Sequence, residues 1–300
     1  MSSTGERGQS PSPRKYPNVV TYISIPGTVD GKPPPHKAPE PRYGEVIYVT
    51  KGEFLTWGGT AILERLPSGD VMKTPIPNPY CPPEEKSHRQ YMRLEAQIYA
   101  RIGSHQRIPK IIDWDLDSCC LTMEYLENGN IREYIRENHQ NLTPQLRLRW
   151  SRQAAEALSV LHRFEVIHCD LSPRNFLLDS NLHVKLADFG GASLCGSEPS
   201  ATPATRFRHP GYDYNAPAVF ADDLFSFGSL IFFIMTGSYP YEEVASDEVE
   251  KLYEVQEFPD VSSVSCGTII MQCWRRQVSS AQDVYDHLMG SIEIGHSLLL

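Results

Sequence analysis

The stretch His168-Cys-Asp-Leu-Ser-Pro-Arg-Asn175, followed downstream by Ala187-Asp-Phe-Gly190, is the part of this sequence that decides the fold. An aspartate and an asparagine share a short polar segment, and a second aspartate follows an apolar stretch. Phosphoryl transfer needs a carboxylate that orients the attacking hydroxyl, and it needs oxygen ligands for magnesium. Asp170 can meet the first need, while Asn175 and Asp188 can meet the second.

The chain around and beyond this stretch is predicted to be helical. Apolar residues recur every three or four positions, as on the buried face of a long helix, at Leu146, Trp150, Ala154, Leu158 and Leu161. The segment from Leu224 to Met235 is apolar on every side, which is typical of a helix inside a large domain. A final helix is expected near Ala281 to Met289.

The first half of the chain is predicted to be mostly strands. Short segments rich in apolar and β-branched residues are separated by turn residues, and they lie at 45–49, 61–66, 71–73, 111–114 and 119–123. The stretch from Glu84 to Ile102 has the apolar spacing of one helix. A sheet-rich half followed by a helix-rich half indicates an α+β protein with two lobes and a cleft between them.

The beginning of the chain has a different composition. Residues 1–43 are crowded with proline, serine and charge, so a flexible arm is expected there. Within it, Val19 to Ile25 can pair as a short edge strand.

The charge, the cysteines and the hydropathy of the chain argue against several classes of protein. The formal net charge of −9 argues against a broad nucleic-acid surface. The seven cysteines show no paired metal pattern and are expected to be reduced thiols in a cytosolic or nuclear protein. The polar first residues do not form a signal peptide, and no apolar run reaches the roughly 20 residues of a membrane span.

With its two motifs in order, the chain resembles the protein kinase family, whose catalytic loop reads H-R-D-x-x-x-x-N and whose metal loop reads D-F-G. The resemblance implies a kinase domain at 44–292, a two-lobed fold and the use of ATP and Mg2+. Its small β-rich N-lobe with one helix would span about 44–123, its hinge about 124–127 and its larger helical C-lobe about 128–292. Residues 293–300 would be a tail.

The same resemblance implies a role for individual residues. Lys73 would hold the ATP phosphates, paired with Glu95, and Asp170 would be the catalytic aspartate. Arg174 would supply a cation near the transferring phosphoryl group, and Asn175 and Asp188 would hold magnesium. The residues expected to contact the nucleotide are Gly58, Gly59, Leu63, Val71, Lys73, Glu95, Met123, Glu124 and Leu126.

Several positions depart from the family pattern. Within the segment that aligns with the glycine-rich loop, 56–63, only Gly58 keeps its place and Gly59 is extra. Cys169 replaces the arginine that holds a phosphorylated activation loop in many members, and we expect this cysteine to be a buried small residue. Asp223 would hydrogen-bond the catalytic-loop backbone, whereas its neighbour Asp222 is expected to be exposed.

The end of the activation segment also differs. The family's A-P-E becomes His209-Pro-Gly211, so its glutamate is missing, together with the usual Arg-Pro pair near the last helices. Arg275 or Arg276 is a candidate substitute for the lost arginine. These departures resemble those of a divergent kinase-like branch known from fungal genomes.

Three functions fit these motifs. The first is an active protein kinase, with serine or threonine favoured over tyrosine because that class is commoner, although Arg174 occupies a position where tyrosine kinases often carry arginine. The second is a pseudokinase that acts as a nucleotide-binding or scaffold module, which the irregular glycine loop favours. The third is a small-molecule kinase of the aminoglycoside or choline type, which usually lacks D-F-G. The protein substrate is not revealed.

Overall fold

A five-stranded antiparallel sheet forms most of the first lobe. The computed structural model describes residues 19–27 and 40–297, and its sheet has the order β3-β4-β5-β7-β6. The strands are β3 (Glu53–Trp57), β4 (Ala61–Arg65), β5 (Val71–Pro75), β6 (Ile111–Asp115) and β7 (Cys120–Met123). Four of the five match predicted segments. β3 was not predicted because nearly all of its positions are exposed, so no apolar alternation marks it.

Two further strands precede this sheet and pair with each other. They are β1 (Thr21–Pro26) and β2 (Glu45–Thr50), and they run parallel, with Thr21 opposite Glu45 and Pro26 opposite Thr50. The edge strand predicted at the end of the arm is therefore confirmed. The remainder of the predicted arm, residues 1–18 and 28–39, lies outside the described residues.

Helix α1 (Pro82–Ile102) packs against the five-stranded sheet. Its first turn carries two prolines, whose fixed φ suits that position, and acidic residues that complement the positive end of the helix dipole. The buried face repeats every three or four residues and consists of His88, Met92, Glu95, Ile98, Tyr99 and Ile102. This periodicity presents Glu95 to the inside of the protein.

The second lobe is built from helices. They are α2 (Ile131–Asn138), α3 (Pro144–Arg163), α4 (Phe220–Thr236), α5 (Ser246–Glu254), α6 (Gly267–Trp274) and α7 (Ala281–Ser297). Helix α4 is buried from Asp222 to Ile234, as its all-round apolar sequence predicted. A Cβ added at Gly228 would lie 2.7 Å from the Cys273 Cβ, so only glycine allows α4 and α6 to approach this closely.

Two short antiparallel pairs frame the motif segments between α3 and α4. They are β8 (Val166–Ile167) with β11 (Ser193–Leu194), and β9 (Phe176–Leu178) with β10 (Val184–Leu186). The segment 168–175 connects β8 to β9, and 187–190 follows β10. The predicted α+β fold with a β-rich first lobe and a helical second lobe is thus confirmed. Across the described ranges, no helix combines the length and the hydropathy that a membrane crossing would require.

Candidate active site

The backbone of the loop between β8 and β9 is hydrogen-bonded by the side chain of Asp223. One carboxylate oxygen of Asp223 accepts the backbone N–H of His168 at 2.7 Å, and the other accepts that of Cys169 at 3.0 Å. His162 contacts the same carboxylate at 3.0 Å. Cys169 has a positive φ of 65° and is 2% exposed, so it is the buried small residue that was predicted. The predicted contact between Asp223 and the loop backbone is confirmed.

Asp170 and Asn175 face each other across this loop. The amide nitrogen of Asn175 donates to the backbone oxygen of Asp170 at 2.8 Å, and the Asn175 backbone oxygen accepts the N–H of Ala187 at 2.9 Å. These bonds join the loop to the segment that carries Asp188. Burial raises the pKa of the Asp170 carboxyl above its usual value, and the neighbouring His168 is the strongest of the groups that oppose this rise.

Lys73 connects the two lobes. Its ammonium group lies 2.6 Å from the Glu95 carboxylate on α1 and 2.6 Å from the Asp188 carboxylate. Burial alone would lower the pKa of Lys73, but the two carboxylates outweigh it and raise that pKa. In return, the lysine charge lowers the pKa of Asp188. Residues 115 positions apart in sequence therefore form one charge cluster, in which Lys73 and Glu95 are buried.

Three aromatic rings pack next to this cluster, tilted or edge-on to one another. Phe189 is fully buried, and its ring centre lies 4.9 Å from that of Tyr99 and 5.7 Å from that of His168. Tyr99 was not singled out from the sequence, although its place one helical turn after Glu95 is a usable signal. Asp188 adopts a φ of 69°, a conformation that non-glycine residues rarely take and that recurs at functional sites.

The oxygen atoms at this site fit a magnesium ion. Because the Asn175 amide nitrogen is engaged with Asp170, its amide oxygen is left as a possible ligand. The Asp188 side chain is 56% exposed and offers a carboxylate as a second possible ligand. Mg2+ usually takes one or two protein carboxylates and completes its shell with phosphate oxygens and water. In the described ranges, no group of three or more His, Cys, Asp and Glu residues is arranged to hold a metal.

The glycine turn is short. The Gly58 N–H donates to the Ala61 oxygen at 2.8 Å and closes a hairpin between β3 and β4. A Cβ at Gly59 would meet nothing within 4 Å. In the sheet register Leu63 is opposite Lys73, and strand alternation puts Val71 on the same face as Lys73. The structure therefore brings the predicted nucleotide contacts Leu63, Val71 and Lys73 to one face of the sheet.

The predicted hinge is anchored by a side chain. Met123 and Leu126 are each 6% exposed. The Glu124 carboxylate accepts the Lys110 N–H at 2.7 Å and pairs with the ammonium group of Lys185. Lys185 belongs to β10, so the hinge is joined to the strand that leads into Asp188. The sequence analysis predicted Glu124 as a nucleotide contact and did not predict that its side chain binds Lys110 and Lys185.

Arg174 is the last of the predicted catalytic residues. Its side chain is exposed, although it lies near enough that its charge is among the influences that lower the pKa of Asp170. Its assignment as the cation near the transferring phosphoryl group stays a prediction.

The end of the activation segment is where the structure overturns an expectation. Asp222 was predicted to be exposed, but it is 7% exposed. Its carboxylate lies 3.0 Å from the His209 ring and accepts the Val219 N–H at 3.0 Å, so it caps α4 while pairing with the segment. The two candidate substitutes for the missing arginine, Arg275 and Arg276, are both exposed.

Two arginines within the segment provide further anchors. The Arg206 guanidinium donates to the backbone oxygens of Tyr241 at 3.0 Å and of Val244, in the loop before α5. Arg208 pairs with Glu250 on α5. These contacts fix the segment to the second lobe through basic side chains of its own. The sequence analysis did not identify these contacts.

Comparison with known proteins agrees with this geometry. The family model described as protein tyrosine and serine/threonine kinase matches residues 81–284. One relative, the probable serine/threonine-protein kinase roco5 of Dictyostelium discoideum, is 28% identical over an alignment of 199 residues that covers 57% of this chain and 7% of that protein. Another, the RGS domain-containing serine/threonine-protein kinase A of the same organism, is 28% identical over 168 residues, 52% of this chain and 14% of its own length. The chain thus spans a small part of the curated relatives it matches.

Proposed function

Because this chain belongs to the protein tyrosine and serine/threonine kinase family, we propose that it transfers the γ-phosphoryl group of ATP to serine or threonine hydroxyls of a protein. The observation that carries the proposal is the contact of Lys73 with both Glu95 and Asp188 at 2.6 Å. An ordered lysine at this place presents a positive charge to phosphate oxygens, and catalysis of this reaction is mostly positioning and charge stabilisation.

The other residues take the following roles in this proposal. Asp170 accepts the proton of the attacking hydroxyl, and its carboxylate is held beside Asn175 for that purpose. Asn175 and Asp188 would hold Mg2+, which would supply positive charge against the charge that develops on the phosphates. Arg174 contributes positive charge at the entrance.

The nucleotide would lie between the two lobes. Leu63 and Val71 offer apolar side chains to the adenine from the sheet, and the backbone of 124–126 offers its polar groups to the edge of the ring. Met123 limits the depth of the pocket. Gly58 and Gly59 cover the phosphates. In this proposal the hinge spans about 124–127 within a kinase domain of 44–292.

A pseudokinase is the second candidate, and the tight turn at Gly58 is the observation that favours it. A loop closed by the bond between Gly58 and Ala61 has few free N–H groups for phosphate. The buried pairing of Lys73 with Glu95 argues against this candidate, because an ion pair costs desolvation energy and a fold alone does not require it.

All seven cysteines are free thiols, which fits the cytosol or nucleus as the compartment.

The test is Asp188→Asn measured with labelled ATP, MgCl2 and a generic protein substrate. We expect transfer to fall by roughly 100-fold or more, since one anionic ligand at the phosphates is lost. The melting temperature should stay close to that of the unsubstituted protein. Asp113→Asn, at an exposed position on β6, is the matched control and should keep full activity.

Three results would decide among the candidates. Transfer to protein that Asp188→Asn removes supports the kinase. ATP binding by the unsubstituted chain without any transfer supports the pseudokinase. Transfer to an aminoglycoside or choline in preference to protein would identify a small-molecule kinase and refute the proposal.

A further inference from the structure

A groove lies between β1, the glycine turn and the beginning of α1, on the face of the first lobe away from Lys73. It encloses about 500 Å3, which is the size of an ordinary ligand pocket. Val20, Tyr22, Trp57, Ile76 and Tyr80 form its apolar lining. The catalytic and metal-binding residues of the proposed function do not line it, but Gly59 does, so the groove adjoins the glycine turn that the proposed function assigns to the phosphates.

Aromatic rings dominate the walls of the groove. The rings of Tyr22 and Trp57 are 4.8 Å apart and tilted by 60°, and those of Tyr43 and Tyr80 are 5.4 Å apart at 75°. Trp57 remains 39% exposed, although it belongs to a β-strand. Grooves walled by tilted tryptophan and tyrosine rings are how proteins recognise proline-rich chains in the polyproline II conformation, because proline rings fit between the aromatic rings.

The rim of the groove is acidic. Glu84 lines it and is 51% exposed, and the neighbouring Glu85 also faces this end of α1. Asn78 fixes both carboxylates, since its side-chain nitrogen donates to Glu84 at 2.6 Å and its backbone N–H donates to Glu85 at 2.9 Å. Burial raises the pKa of Tyr22, and the negative charges of Glu84 and Glu85 raise it further. A basic ligand would therefore be attracted.

We propose that this groove binds the chain's own proline-rich segment Ser10–Pro17, docked in the polyproline II conformation with its basic residues at the acidic rim. The sequence of this segment is Ser-Pro-Ser-Pro-Arg-Lys-Tyr-Pro, with three prolines and two adjacent cations. It combines the two properties that the groove selects, which are rigid proline rings for the aromatic wall and positive charge for Glu84.

The path of the chain favours this occupant. Val20 lines the groove and β1 begins at Thr21, so the arm enters the described structure at the groove itself. Pro13 is six residues before Val19, a length of about 19 Å in the polyproline II conformation. Such a short tether gives an effective concentration of about a millimolar, at which even a weak site is mostly filled.

A second proline-rich stretch fits the groove less well. Residues 28–39 include Pro33-Pro-Pro35 and lie between Gly27, which is beside Thr50 at the opposite end of the β1–β2 pair, and Tyr43 at the groove end. Their cations, Lys32 and Lys37, are not adjacent, unlike Arg14 and Lys15. A peptide of residues 28–39 therefore serves as the competing ligand in the test.

The experiment uses the full chain and a fluorescein-labelled peptide of residues 9–18, with binding measured by fluorescence anisotropy. In the unsubstituted chain the groove is already filled by the arm. A variant with Pro11, Pro13 and Pro17 changed to Ala has an arm that no longer competes. We expect this arm variant to bind the labelled peptide at least tenfold more tightly than the unsubstituted chain.

Further substitutions in the arm variant locate the binding site. Trp57→Ala should weaken peptide binding at least tenfold, whereas Phe54→Ala, which changes a 55% exposed residue of the same strand that does not line the groove, should leave it unchanged. Glu84→Gln removes a negative charge at the rim and keeps a side-chain oxygen that can accept from Asn78, so it should weaken binding about threefold and reduce its dependence on salt. Melting temperatures check that each variant is folded.

Several outcomes would overturn the proposal. Equal peptide binding by the unsubstituted chain and the arm variant would show that the arm does not occupy the groove. A lack of binding to the folded arm variant would show that the groove does not recognise this segment. Tighter binding of the peptide of residues 28–39, or equal effects of Trp57→Ala and Phe54→Ala, would place the occupant or the site elsewhere.

Discussion

His209 and Asp222 form a buried pair in which the ring Nε2 lies 3.0 Å from the carboxylate Oδ1. Asp222 is followed in α4 by Asp223, which holds the backbone of His168 and Cys169. Two successive aspartates at the start of one helix therefore hold two different segments of the site. Asp222 holds the end of the activation segment, and Asp223 holds the catalytic loop.

Asp222→Ala should destabilise the protein by about 2 kcal/mol, since it removes a helix cap and leaves His209 buried without its partner. The free energy of unfolding in urea measures this change. Asp247→Ala is the control, because Asp247 is 78% exposed and its contact with Lys251 is a surface pair. Equal stability of the two variants would contradict a structural role for Asp222.

Activity should not depend on phosphorylation between Gly191 and His209. Arg206 and Arg208 already bind the segment to α5 and the loop before it, and Cys169 offers no cation to a phosphate. A variant should therefore keep its turnover within about tenfold, or 1.4 kcal/mol, when Ala replaces every hydroxyl residue of the segment: Ser193, Ser197, Ser200, Thr202 and Thr205.

Arg206→Met is a second variant, which tests whether an arginine of the segment holds it in place. This change leaves the Tyr241 and Val244 backbone oxygens without their donor and should lower turnover more than the loss of all five hydroxyl groups. Phosphatase treatment of the unsubstituted enzyme supplies an independent measurement. A loss beyond tenfold after dephosphorylation would reveal a phosphate switch.

Arg174→Gln should move the acid limb of the kcat/KM profile to higher pH. The proposed base is the ionised Asp170, so activity is lost as pH falls through the pKa of this carboxyl. Burial has already raised that pKa, and the charge of Arg174 opposes the rise. Removing the charge raises the pKa further. Arg275→Gln removes an exposed charge at the end of α6 and should leave the profile unmoved.

A sequence reveals a site well when its residues come in ordered motifs. Lys73, Glu95 and Asp188 were placed together because strand, helix and metal loop followed one another in the family's order. Asp222 was misjudged because burial at a helix start depends on a partner elsewhere, here His209, and no local pattern records that partner. The strand β3 was missed for a related reason, since an exposed edge strand needs no apolar alternation.

Two truncations should have different effects on stability. Deleting residues 1–18 removes no described strand but does remove the segment proposed to fill the groove, so the melting temperature should fall by about 2 °C. Deleting residues 1–42 removes β1, together with the packing of Tyr22 against Trp57 and its hydrogen bond to the Pro77 oxygen. A fall of about 5 °C is expected for that truncation, measured by calorimetry. Equal melting temperatures would show that β1 contributes little.

The parallel direction of β1 and β2 has a mechanical consequence. A pull on the chain before Val19 acts at the beginning of β1, whereas the resistance comes from the end of β2, where the chain continues into β3. The two strands are then loaded in shear, so their hydrogen bonds must fail together, whereas an antiparallel hairpin would open one bond at a time. Tension on that end would therefore be borne by the β1–β2 pair before it reached the lobe that carries Lys73.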